Sequence, residues 1–390
     1  MKLCILVEGN SVIPPVRGEG VGQVVMLLAK GLAKRGHQIS VICGKAGDHS
    51  KLSHIRLYKL KKTRVLGTKL NELLYTIQAL IFLLVNGKKF DLVCFHACQL
   101  NYPILAYLFK ILSKRPVVYS THMAYPWDLD YEEIPLMGRL SMRLRAYCKR
   151  KLDKVIAPSF RIKQHVTEYT GLEPSRIEVI YHGMDIDLFN PTYVKEARYT
   201  LGLSDDDLVI LFVGRLADAK GVEYLLRAVP IVLKEIDMAR FVLVGAESSG
   251  GDTIPQRWTA LCRELKIEDQ VVFTGALEHT TLAKLYPSAD IFLLPTLMEC
   301  LSGAVCEALA SGLPVVSTNT GDTALLIQQC GIVVKKRNEV DIANAIIKLA
   351  KNKELRKRYS NKALEVARKE LSVERFIDEY EGVFTECLGN

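Results

Sequence analysis

Short apolar runs alternate along this chain with longer stretches whose apolar residues recur at helical spacing. Lys2 to Glu8 is such a run. A Gly-rich turn follows, then Val21 to Arg35 with Val24, Val25, Leu28 and Leu32 at helical intervals, then the run Gln38 to Cys43. That succession predicts a βαβ unit. Further runs at Asp91 to Phe95, Val117 to Ser120, Lys154 to Ala157 and Ile177 to Ile180 are apolar throughout, the pattern of strands buried on both faces in a parallel sheet. A second series begins at Leu208. Its predicted strands are Val209 to Val213, Ala239 to Val244, Gln270 to Phe273, Ile291 to Leu294, Pro314 to Ser317 and Ile332 to Val334. Its predicted helices are Val222 to Lys234, Ile254 to Leu265, Leu282 to Tyr286, Ala304 to Ala310 and Val340 to Asn352.

Between the series, Phe189-Asn190-Pro191 and the acidic Ser204 to Asp207 interrupt the periodicity. The expectation is therefore α/β: two Rossmann-like, doubly wound parallel-sheet domains over residues 1–190 and 191–370. A last helix, around Val373 to Leu388 within 371–390, is expected to pack back on the first domain. Two such domains facing each other would set the carboxyl ends of their strands around a central cleft, where open α/β sheets bind ligands. The length agrees, since 390 residues exceed the roughly 250 to 300 at which single cores stop growing.

The longest apolar candidate, Leu73 to Val85, is interrupted by Thr76 and Gln78 and falls short of the roughly 18 to 20 residues a spanning helix needs. The amino terminus runs straight into a strand with no small-residue cleavage site, so export is not indicated. Ten cysteines at irregular spacings, without a paired C-x-x-C, read as reduced cytoplasmic thiols. Charge is more informative when divided. Met1 to Asp185 carries 28 Lys and Arg against 14 Asp and Glu, and the remainder 24 against 29. The basic half favours an anionic partner: nucleic acid, acidic lipid headgroups or a phosphorylated substrate. Its basic clusters lack the interleaved aromatics of a nucleic-acid platform, so no nucleic-acid partner is expected.

Two segments carry chemistry. Val213-Gly214-Arg215-Leu216-Ala217-Asp218-Ala219-Lys220-Gly221 follows an apolar strand and opens a helix. An Arg fork and a Lys point charge on such a corner suit a diphosphate; the other reading is a solvated loop with incidental charge. In the second segment, Leu294 to Pro314, Glu299 lies in the connection, a helix starts near Gly303, and Glu307 falls in its first turns. The free N–H groups of Gly303 and Ala304 and the two carboxylates together suit an anion and vicinal hydroxyls. By itself Glu307 would read as a complement to the helix dipole. Cys94, His96 and Cys98 alternate along one strand end. Their spacing does not converge on a metal, and they read as buried thiols with a histidine at a cleft edge.

Taken in order, these segments resemble glycosyltransferase family 4. The resemblance also runs through Leu28 to His37, Tyr181-His182-Gly183-Met184-Asp185 with Phe189 and Pro191, Leu243-Val244-Gly245, Phe273-Thr274-Gly275, and the Glu-x7-Glu block running on to Pro314-Val315-Val316. It implies the GT-B fold and a retaining transferase that moves a sugar from a nucleotide-diphosphate sugar to a hydroxyl acceptor. It also implies roles by position. Arg215 and Lys220 hold the donor diphosphate, Glu307 the ribose and Glu299 the sugar hydroxyls. Gly20, Gly22, Gly214, Ser302, Gly303 and Ala304 complete the donor site, and His122 lies beside the transferring sugar. Because two protein cations serve the diphosphate, no cofactor and no obligate metal are expected. Departures fall on donor-side loops: Glu19 separates Gly18 from Gly20, and Glu247 stands where a second glycine is common.

Leu136 to Lys154 combines Arg139, Arg143, Arg145, Lys149, Arg150, Lys151 and Lys154 with Leu136, Leu140, Leu144, Tyr147 and Leu152, the pattern of a basic amphipathic helix. A second basic stretch, Lys59 to Arg64, precedes Leu73 to Val85. One reading is a solvated helix face over the sheet; the other is peripheral docking on the anionic inner face of the cell membrane, with a lipid-linked acceptor. Open alternatives for the whole chain are another GT-B enzyme, such as a nucleotide-sugar epimerase or a phosphorylase, and a non-catalytic sugar-nucleotide-binding scaffold.

Overall fold

The structure is a computed structural model and describes residues 1–15, 20–47, 54–60, 68–97, 101–122, 136–189, 196–247 and 253–389. Its contacts divide the chain into two compact units. One comprises Met1–Gly183 with Val373–Asn390, the other Met184–Ser372.

In the first unit the order is β1 (Lys2–Val7), β2 (Val12–Ile13), α1 (Gly20–Lys34), β3 (Gln38–Cys43), β4 (Lys45–Ala46), β5 (Ile55–Lys59), α2 (Thr68–Asn86), β6 (Leu92–Ala97), α3 (Tyr102–Ser113), β7 (Val117–Thr121), α4 (Leu136–Arg150), β8 (Lys154–Ala157), α5 (Phe160–Thr170) and β9 (Ile177–Val179). Seven of these strands form one parallel sheet, ordered β5-β3-β1-β6-β7-β8-β9. Strand order reverses between β1 and β6, the switch point at which open α/β sheets take ligands beyond the strands' carboxyl ends. The edge strand β5 lay unread in the sequence, where its alternation of apolar and basic residues resembles a charged stretch.

Helix α1 seals one face of this sheet, and the last helix, α14 (Val373–Gly389), packs upon it. Gly31 permits the contact: a Cβ there would lie 2.4 Å from Ile377 Cδ1. Arg35 and His37 tie the same helix through Glu381, at 2.6 and 2.7 Å.

Helices α2, α3 and α4 lie side by side. Their apolar outer residues do not face the sheet. Leu73, Ile77, Ile81, Leu84 and Val85 run along α2, Leu108, Ile111 and Leu112 along α3, and Leu140, Leu144 and Tyr147 along α4, each more than a third exposed. Each helix also has a buried side: Tyr75, Ala79 and Leu83 on α2, Leu105, Ala106 and Phe109 on α3, and Met142 and Cys148 on α4. The basic set divides too. Lys149 is tucked 4.9 Å over the Tyr119 ring, and burial lowers its ammonium to about 8. Lys154 is paired with Glu178 and Glu386. No helix among the described residues is long and apolar enough to cross a membrane.

The second unit runs α6 (Glu196–Thr200), β10 (Leu208–Val213), α7 (Val222–Leu233), β11 (Ala239–Val244), α8 (Gln256–Leu265), β12 (Val271–Gly275), α9 (His279–Leu285), β13 (Ile291–Leu294), α10 (Gly303–Ala310), β14 (Val315–Thr318), α11 (Thr323–Ile327), β15 (Gly331–Val334), α12 (Glu339–Lys351) and α13 (Lys353–Glu370). Its six strands are parallel, ordered β12-β11-β10-β13-β14-β15, so the switch point falls between β10 and β13. Those central strands are buried almost throughout, as their unbroken Leu-Val-Ile-Leu-Phe and Ile-Phe-Leu-Leu runs require. Two boundaries move from the sequence reading. Pro255 caps α8, which starts at Gln256 rather than Ile254, and α9 begins at His279 rather than Leu282.

Candidate functional site

The two loops that leave the switch point of the second unit are stapled together. After β10 the chain turns at Gly214 and passes through a single 3-10 turn, Asp218–Lys220. Gly221, at φ +73°, then admits it to α7. A Cβ on Gly221 would lie 1.9 Å from the Pro295 carbonyl oxygen, so only glycine lets the β13 loop approach this closely. Across that contact Leu297 N–H donates to the Ala219 carbonyl at 2.8 Å, and Thr296 Oγ1 to the same oxygen at 3.0 Å.

This stapling brings Lys220 Nζ into an ion pair with Glu299, each side chain about one-fifth exposed. Arg215 is exposed and, among the described residues, its guanidinium has no partner. Beyond Glu299 the buried Ser302 caps α10, its Oγ accepting from Val305 N–H at 3.4 Å. The amides of Gly303 and Ala304 donate to nothing among the described residues. Gly303 is exposed, with no heavy atom within 4 Å of where a Cβ would stand.

Glu307 lies one turn into α10 and is clamped from two sides. Tyr286 O–H donates to Oε2 at 2.7 Å, and His279 Nε2 lies 3.3 Å from Oε1. Tyr286 is fully buried, and Phe189 meets the rings of both Tyr286 and His279 edge to face at 5.6 and 5.2 Å. The Glu307 hydrogen bond is the largest influence on His279, holding its imidazolium above the usual range against opposing burial; the charges of Glu307 and Asp185 add to it. Local spacing found Glu307 but not its clamp, because Tyr286 and His279 lie 21 and 28 residues away. Phe189 reads in the sequence as part of a boundary and of the resemblance, and neither shows its packing on Tyr286 and His279.

In the first unit, Gly20 and Gly22 stand at the start of α1. Gly20 meets open space, whereas a Cβ on Gly22 would come within 3.0 Å of the Val12 carbonyl oxygen. Gly18, Glu19 and Cys98 lie outside the described residues. His122 follows β7, partly buried, with its Nε2 3.0 Å from His96 Nδ1 and its ring 5.6 Å from that of His182. His96, expected at a cleft edge, is wholly enclosed. Burial holds His96 at about 3 and His182 at about 4, and pushes His122 well below the ordinary histidine range.

Two doubly wound parallel sheets in one chain are the GT-B class of fold. HepE of Anabaena, crystallised with UDP and with UDP-glucose, shares it: the UDP complex has a TM-score of 0.81 and 19% identity, covering 99% of this chain and 100% of that one. Residues 18–188 match the family described as Glycosyltransferase Family 4, and residues 207–352 that described as Glycosyl transferases group 1. The chain belongs to glycosyltransferase family 4. An uncharacterized glycosyltransferase of Methanocaldococcus jannaschii is 35% identical over 197 residues, 49% of either chain. The D-inositol 3-phosphate glycosyltransferase of Segniliparus rotundus is 32% identical over 184 residues, 47% of this chain and 41% of that one. The matched stretch thus spans about half or less of the length of these curated relatives.

Proposed function

We propose that the protein is a retaining, metal-independent glycosyltransferase that moves a sugar from a nucleoside-diphosphate sugar to a hydroxyl acceptor. The observation that carries this reading is the switch-point corner of the second unit, where an unpartnered Arg215 and a Glu299-paired Lys220 stand on one loop. The Glu307 carboxylate and the bare amides of α10 follow on the next. A diphosphate brings two negative charges to that corner. It takes the Arg215 fork and draws Lys220 from Glu299, which frees Glu299 to accept from sugar hydroxyls. Glu307, already oriented by Tyr286, accepts from the ribose.

No side chain is assigned as a nucleophile. The departing phosphate takes the acceptor's proton on the face it leaves, and Arg215 and Lys220 stabilise the charge that develops there. His122 lies beside the transferring sugar. The two cations neutralise the leaving group without a divalent ion, so chelation leaves transfer intact. Folded Arg215→Ala and Lys220→Ala enzymes should each lose on the order of a hundredfold in kcat, about 3 kcal/mol. Native rates in both would dismiss the reading. Donor binding without turnover across a broad acceptor panel would favour a scaffold instead.

The same reading includes a location, peripheral to an anionic membrane with a lipid-linked acceptor. Its support is the apolar outer face of α2, α3 and α4. Glu72 is the one carboxylate on these helices and is buried, while Arg143 and Arg150 are exposed.

A further inference from the structure

Behind His122 stands a second histidine, His96, to which the proposed chemistry gives no role. His96 sits near the end of β6, in register with Ser120 of β7, and is wholly enclosed. Tyr380 of α14 stacks on its ring at 5.8 Å and 16°, and Tyr380 is itself fixed by a 2.8 Å hydrogen bond with Ser120 Oγ. Among the described residues, His96 Nε2 is buried with no hydrogen-bond partner, while Nδ1 lies 3.0 Å from His122 Nε2.

A nitrogen–nitrogen contact of that length requires one proton between the rings. Two protons repel, and none leaves two lone pairs opposed. Since burial keeps both rings neutral, each carries one proton. Whichever ring supplies the shared proton, the other presents a lone pair, and the remaining nitrogen of His122, Nδ1, takes the complementary role. An orphaned buried N–H is costlier than an orphaned lone pair, so His96 keeps its proton on Nδ1 and donates it to His122 Nε2, which leaves His122 Nδ1 as the N–H; packing against Tyr380 holds the His96 ring in place.

We propose that His96 is a positioning residue that locks His122 in a single tautomer and ring orientation, so that His122 Nδ1 meets its ligand in one fixed role. The consequence for catalysis rests on His122 lying beside the sugar; the lock itself does not. The logic is that of any histidine whose free nitrogen is set by the partner of the other.

The test is two-bond ¹H–¹⁵N correlation of the ¹⁵N-histidine-labelled full chain at neutral pH. The expected spectrum gives His122 one fully pyrrole-like and one fully pyridine-like nitrogen, and in His96→Leu these move towards each other as the ring averages. Averaged nitrogens in the native protein, or His122 signals unchanged in His96→Leu, would overturn the proposal. In turnover, His96→Leu should lower kcat by about tenfold with the donor KM little changed. His96→Asn, whose amide reaches towards His122, should recover part of that loss and guards against a variant that merely misfolds. An equal kcat in the native and His96→Leu enzymes would overturn the catalytic consequence. Should the spectrum show the lock while His122→Ala retains the native rate, the role given to His122 falls and the lock stands.

Discussion

At the scale of the residue, two histidine environments of opposite sign make the protein respond to pH in opposite ways. His279 is raised by its Glu307 partner, so the contact contributes below the unfolded value near 6.5 and is lost as pH rises through the folded one. Titration by NMR should place its midpoint above 6.5, and Glu307→Gln should return it towards that value; an unchanged midpoint in the variant would disconnect the pair. His96 is depressed, so its share of stability is complete above about 6.5 and is lost as pH falls towards its folded value of about 3. By pH 5 about 2 kcal/mol of that share has been lost. Urea unfolding at pH 7 and pH 5 should show a loss of that order, and the loss should shrink in His96→Leu. The residues legible beforehand were those whose neighbours are near in sequence, such as Arg215 with Lys220 and Glu299 with Glu307. The clamp of Tyr286 and His279 and the pairing of His96 with His122 were not, because parallel crossovers bring together residues more than 20 apart.

At the scale of the element, glycines at the switch point separate structural need from ligand need. Gly221→Ala places a Cβ against the Pro295 carbonyl in a left-handed conformation, which costs at least about 1 to 2 kcal/mol and parts the loops that join Lys220 to Glu299. Its Tm should fall and its donor KM rise together. Gly303→Ala has open space and a better helix former, so Tm should hold or rise. Donor affinity should still fall by roughly tenfold, because the new methyl stands over the bare amides of α10. Unaltered affinity in a stable Gly303→Ala enzyme would remove that helix start from the donor site. Most central strands could be read because burial on both faces leaves unbroken apolar runs. Helix starts shifted where one local feature overruled the pattern, as Pro255 does for α8.

At the scale of the whole molecule, alternation along the chain is enough to give two parallel sheets, and each sheet's strand order sets its switch point. What periodicity cannot give is which side of a helix faces out. The stripes of α2, α3 and α4 have helical spacing whether they meet a sheet or solvent, and here they meet solvent. Acidic vesicles should therefore pellet the protein and neutral ones should not, with Ile81→Asp and Leu112→Asp each weakening the effect. Equal pelleting with both lipids would deny a charge-selective surface. The central claim concerns the other unit, and a crystal structure with a nucleoside-diphosphate sugar tests it most directly. The account predicts the diphosphate within hydrogen-bond reach of Arg215 and Lys220, with the ribose on Glu307 and the Lys220–Glu299 pair parted. A diphosphate bound elsewhere, with that pair intact, would contradict it.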